Sequence, residues 1–119
     1  MRQDDGAEFI SASLERRLAL KNMSELRRER LLRANALYEA KEYARAAEVA
    51  RESLAALPED AEMRYIRAAA LTGCGAYDEA RAEIARIRAV CPDHAGAARQ
   101  EIYIDRAEGK IRTQIVHLR

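Results

Sequence analysis

Along the chain, apolar residues recur at intervals of three and four, the spacing that lines one face of an α-helix. Ile10, Leu14 and Leu18 run at fours through residues 7–20, opposite Glu15, Arg16 and Arg17. Asn22 to Ser24 interrupt that face, and Ser24 offers an N-cap hydroxyl to the helix that follows. Leu31, Ala34, Leu37 and Tyr38 then share one face, and Ala46, Val49, Ala50, Ser53 and Leu54 another. The pattern returns in Ala68, Leu71 and Thr72, and again in Ala80, Ile84 and Ile87. These positions predict an all-α chain of paired amphipathic helices.

The pairs repeat with a period of 34. When residues 27–60 are set over 61–94, nine of the 34 pairs are identical. They are Arg30/Arg64, Arg33/Arg67, Ala34/Ala68, Ala36/Ala70, Leu37/Leu71, Tyr43/Tyr77, Ala46/Ala80, Ala55/Ala89 and Pro58/Pro92. Alanine at 34/68 and 46/80 lets paired helices approach closely. Tyr43/Tyr77 sets a ring across each hairpin turn. Pro58/Pro92 lacks a backbone N–H and disfavours helix just before it, so it closes each hairpin. Gly73-Cys74-Gly75 joins two helices, which makes it a helix-ending turn and not a phosphate loop.

This set of residues resembles the tetratricopeptide repeat, a helix-turn-helix of the same period. Two full copies cover residues 27–94, as 27–60 and 61–94, with KEYARAAEVA and GAYDEARAEI after the turns. The resemblance departs at the front of each first helix, where the family has an aromatic residue and a leucine. Arg30/Arg64 and Arg33/Arg67 stand there, so burial is expected to move onto Leu31-Leu32 and Tyr65-Ile66. The resemblance implies a right-handed α-α superhelix of helical hairpins. Residues 1–26 would supply a capping helix and linker, and 95–119 a degenerate third repeat or a capping helix.

Three readings of the last segment stay open. A further 34 residues set Gly109 opposite Gly75, Ile111 opposite Tyr77 and Leu118 opposite Ile84, which favours a decayed third hairpin. Against it, Ile102 replaces the small residue, Asp105 the large apolar one, and no closing proline follows. A single helix through Gly109 would form a stripe of Ile104, Ala107, Ile111, Ile115 and Leu118. The β-branched run KIRTQIVHLR also suits an extended segment.

Composition narrows the function classes. The 119 residues include 25 Ala but only five Gly and two Pro, which suits helices. With 21 Lys+Arg against 20 Asp+Glu, no basic stripe invites nucleic acid. Arginine and glutamate interleave at helical spacing (Arg45/Glu48/Arg51/Glu52, Arg81/Glu83/Arg86), which reads as a solvated face with weak local pairs. The longest uncharged stretch, residues 68–77, is half what a membrane span of about 20 residues needs. MRQDDGAEFI has no apolar core of a secretory signal, and two cysteines without ligand spacing make no disulfide framework or metal site. A cytoplasmic location follows as the expectation. His94 and His117 lie 23 residues apart and read as solvated or terminal, so no catalytic set, cofactor site or metal site emerges.

The resemblance implies instead a non-enzymatic module that holds a peptide or protein segment on its concave surface. Transferred to this chain, that surface is Leu31, Asn35, Tyr38 and Glu39, then Tyr65, Ala69 and Thr72, then Arg99, Tyr103 and Arg106. The acidic-tail clamp of chaperone-binding members is absent. Asn35 fits one of its places, but Leu31, Ile66, Gly96 and Gln100 stand where basic or asparagine residues are needed. Two further functions are compatible with the residues. One is a small bacterial assembly or secretion chaperone shielding a client subunit. The other is a structural module that self-associates through the tail stripe, or a piece of a longer solenoid.

Overall fold

A computed structural model describes residues 2–117, with side chains over 12–109. Five helices follow one another: α1 (Arg2–Glu39), α2 (Tyr43–Ala56), α3 (Ala61–Gly73), α4 (Tyr77–Val90) and α5 (Ala95–His117). No strand occurs among the described residues, and no described helix is long and apolar enough to cross a membrane. Each helix lies against the next in sequence, and α3 also touches both α1 and α5.

Both hairpin turns are built alike. The N–H of Glu42 reaches the carbonyl of Leu37 at 2.9 Å, and that of Lys41 reaches Tyr38 at 3.0 Å. In the second turn Ala76 reaches Leu71 at 2.9 Å and Gly75 reaches Thr72 at 3.0 Å. This double bond pattern ends a helix through one left-handed residue. Gly75 takes that place at φ 78°, and Lys41, 34 residues earlier, takes it at φ 63°. The other joints are set by proline and a cap. Asp60 caps α3 by accepting from the Met63 N–H at 3.3 Å, and His94 does the same for α5, its Nδ1 accepting from the Ala97 N–H at 3.0 Å.

Two apolar clusters hold the helices together. Ala34, Ala50, Leu54, Met63 and Ile66 join α1, α2 and α3. Ala68, Leu71, Ala80, Ile84, Ile87, Ala97 and Ile104 join α3, α4 and α5. Ala34, Ala46, Ala68 and Ala80, the alanines expected at the close helix approaches, are fully buried.

Three expectations are corrected here. First, α1 does not break at Asn22 to Ser24; residues 2–39 form one helix, and Ser24 lies inside it. The reason lies in the same register. Where Pro58 and Pro92 stop their helices, the first copy has Ser24, and where Asp60 and His94 cap, it has Leu26. Nothing there ends a helix. Leu14 and Leu18 therefore do not fold back as a cap, and both stay about half exposed. Ile10 lies outside the described side chains. Second, α5 runs straight through Gly109 to His117, so there is no third hairpin and no extended tail over these residues. Asp105, standing where Leu71 would anchor a hairpin, instead pairs with Arg81 of α4 at 2.8 Å, and Glu108 joins the same arginine at 2.8 Å. Gly within a helix costs only about 1 kcal/mol relative to Ala, less than burying Asp105 in a hairpin core would. The side chains of Ile111, Ile115 and Leu118 lie outside the described residues. Third, Leu32 remains exposed; only Leu31, Tyr65 and Ile66 of the inner pairs turn inward.

Candidate functional site

Because α3 lies between α1 and α5, one face of the chain is a shallow trough with α3 as its floor. At its lower end a cleft of about 370 Å³ is lined by Leu31, Asn35, Glu62, Tyr65, Ile66, His94, Gly96 and Arg99. Four of the residues predicted from sequence, Leu31, Asn35, Tyr65 and Arg99, thus meet in one hollow. Its shape depends on Gly96: a Cβ there would stand 3.0 Å from the Tyr65 ring and 3.0 Å from His94. The two rings lie 5.8 Å apart, tilted by 39°. Tyr65 is half-buried against the second core cluster and keeps one side in the cleft.

Higher in the trough sit Tyr38 and Tyr103. Tyr38 meets Tyr43 edge-to-face with ring centroids 5.5 Å apart. Burial pushes the Tyr38 phenol above its ordinary pKa, and the nearby phenols of Tyr43, Tyr103 and Tyr65 add to the shift. Tyr103 is 61% exposed, more than a ring serving only the core would be. Arg106 is exposed one turn beyond it, and Glu39 is exposed at the end of α1.

Thr72 does not belong to this surface. It is buried, donates to the Ala68 carbonyl at 2.8 Å, and accepts from the buried Gln100 Nε2 at 3.1 Å. The pair ties α3 to α5. Ala69 is likewise buried. A threonine in the last turn of an apolar face was a signal of a core position, because its hydroxyl can satisfy itself on the carbonyl four residues back. His94 is also more than a solvated turn residue: it caps α5 and walls the cleft. Its spacing of 34 from Asp60 was the signal available for that role.

The arginines are sorted by helix. Every arginine of α2, α3 and α4 has a carboxylate partner. Arg45 pairs with Glu42 just before α2, Arg51 pairs with Glu48 within it, and Arg88 reaches Glu101 of α5 at 2.6 Å. Glu83 of α4 is buried and receives Arg64 at 2.7 Å, Arg67 at 2.6 Å and Arg86 at 3.6 Å. Glu83 and Arg81 therefore do not form the solvated face read from their spacing; they bridge helices. On α1 only Arg27 is paired among the described residues, with Asp60 at 2.6 Å. On α5 neither Arg99 nor Arg106 has a partner among the described residues. The acids of α5, Glu101, Asp105 and Glu108, are all drawn to α4.

Two other hollows adjoin Pro58. The larger, about 460 Å³, has the Arg27–Asp60 pair among its walls, and both charges there are already satisfied. The other, about 260 Å³, is lined by Arg64 and Arg86, which serve Glu83. Neither offers unpartnered chemistry comparable to the trough. Among the described residues no cluster of three or more His, Cys, Asp or Glu could hold a metal ion, and both cysteines are free and exposed. No family model, curated protein or solved structure matches the chain.

Proposed function

We propose that the chain is a non-enzymatic protein-interaction module of tetratricopeptide type, whose trough of α1, α3 and α5 holds a segment of a partner protein. The single observation that carries this reading is the cleft in which Leu31, Asn35, Tyr65 and Arg99 converge, with Tyr38 three residues beyond Asn35 and Tyr103 and Arg106 four and seven beyond Arg99 on the same helix stripes. Tyrosine presents a large contact area with a polar tip, and arginine binds carboxylates in a planar fork, so both suit recognition. Support for the repeat type is the register itself: turns at 41 and 75, caps at 60 and 94 and prolines at 58 and 92 all fall 34 apart. The test is affinity capture from the source organism with wild type and with Tyr65→Ala/Tyr103→Ala/Arg106→Ala. Circular dichroism should show the variant equally helical. A protein enriched by wild type and lost from the variant supports the trough; equal capture by both forms contradicts it.

Self-association is the second reading, and one observation favours it. Leu14, Leu18, Leu20, Met23 and Leu26 of α1 are each between 45% and 67% exposed. Most helical stability in proteins comes from packing of an apolar face, so an uncovered run of this kind suits a second surface laid against it. If copies cover one another there, Leu20→Glu/Met23→Glu lowers the mass measured by light scattering to that of one chain. An unchanged mass removes this reading.

A further inference from the structure

The sorting of charge across the trough points to the chemistry of the segment it holds. On α5, every described acid faces α4 and is consumed there by Arg81 or Arg88, while Arg99 and Arg106 are left on the trough side without a carboxylate. Arg99 lines the cleft, and Tyr103 lies between the two arginines on the same stripe of the helix. On α1, Arg28 stands seven residues before Asn35, on the same stripe, and is exposed and also unpaired among the described residues. Glu62, the acid in the cleft, is already within 3.6 Å of Arg27. With Arg28, Arg99 and Arg106 set against Glu39 and the Arg27-paired Glu62, the trough presents a small excess of positive charge bordering tyrosine faces, although the chain as a whole is nearly neutral.

Resting on the trough reading above, we propose that the partner segment is acidic and extended, with two carboxylates about 10 Å apart that meet Arg99 and Arg106. The distance follows from helix geometry: seven residues rise about 10.5 Å. A chain in the extended polyproline-II form advances about 3.1 Å per residue with three residues per turn, so carboxylates three residues apart share one face and lie about 9 Å apart, close to that span. The residues between them lie over Tyr103, and a flanking apolar side chain enters the cleft beside Tyr65 and Gly96. A nucleic-acid strand fits less well, because its evenly spaced phosphates would also meet Glu62 and Glu39.

The experiment uses fluorescein-labelled pools of 12-residue peptides, randomised except for two glutamates three residues apart. Matched pools carry glutamine or lysine at those two places. Wild type should bind the glutamate pool about tenfold more tightly than the glutamine pool, with the gap closing as salt rises. Arg99→Gln/Arg106→Gln should bring the glutamate pool down to the glutamine level. Its helicity and Tm should stay at wild type, since neither arginine has a partner among the described residues to lose. Equal binding of the glutamate and glutamine pools by wild type overturns the proposal. If Tyr103→Ala then weakens both pools alike, the trough reading survives without its acidic preference. Binding of no pool overturns both readings. Displacement of the glutamate pool by an oligouridine at equal concentration would overturn the proposal in favour of nucleic acid.

Discussion

Lys41 and Gly75 carry the same left-handed turn, and only one of them suits it. A left-handed residue with a Cβ costs about 1–2 kcal/mol, whereas glycine takes the conformation freely. Lys41 is exposed, and among the described residues no hydrogen bond or ion pair of its side chain compensates. Lys41→Gly should therefore raise stability by about 0.5–1 kcal/mol in urea unfolding, and Gly75→Ala should lower it by about 1 kcal/mol. At the next joint, Asp60 combines a cap with a two-pronged bond from Arg27, at 2.6 and 3.1 Å. Burial alone would raise its pKa, but the Arg27 guanidinium and the Met63 N–H outweigh burial and hold it below the ordinary aspartate value. A carboxylate whose pKa is lowered on folding contributes stability above its unfolded value, near pH 4, and loses it as pH falls through the folded value. Asp60→Asn should thus be less stable than wild type at pH 7 by about 1 kcal/mol. The gap should close as pH falls below the unfolded value, near pH 4, in parallel urea titrations. A gap that persists at low pH would mean that the charge contributes nothing.

Between helices, the unexpected feature is the buried Glu83. Its partners Arg64 and Arg67 occupy the places where the resembled repeat has apolar residues, and in the first copy the place of Glu83 is held by Val49. Arg30 and Arg33 accordingly have no such carboxylate. Removing one side of a buried pair leaves the other uncompensated, so Glu83→Ala should cost about 3–5 kcal/mol by calorimetry or denaturant. Replacing the trio by apolar residues of similar volume should cost far less. The continuity of α5 has an equally direct check. Within a helix, Gly109→Ala should add stability of up to about 1 kcal/mol and raise helicity. Had the chain turned there through a left-handed glycine, the same substitution would do the reverse. The sequence pattern was informative wherever identity repeated at 34, as at Ala34/Ala68, Tyr43/Tyr77 and Pro58/Pro92. It was less so where equivalent places hold different residues. Leu26 against Asp60 and His94 decides that α1 runs on, and Asp105 against Leu71 decides that α5 does. Thr72 was misassigned because helical periodicity alone does not tell a groove from a core face, and Glu83 because its partners lie 16 and 19 residues away.

Over the whole molecule, α1 extends far past the helices it supports, and the overall dimensions are 86 × 29 × 18 Å. The radius of gyration is 20.3 Å, against about 13–14 Å for a compact chain of this length. The trough occupies the part where α1, α3 and α5 run together, and its unpaired arginines and tyrosines distinguish it from α2 and α4, whose arginines are spent on internal pairs. The account stands on that face being where a partner sits. Its most direct measurement is site-specific photo-crosslinking in cells of the source organism. A benzophenone amino acid would replace Tyr103 in the trough and, separately, Glu52 on the exposed side of α2. The account predicts one discrete adduct with another protein from position 103, lost when Arg99→Gln/Arg106→Gln is added, and none from position 52. Adducts of equal yield from both positions, or none from position 103, would contradict it.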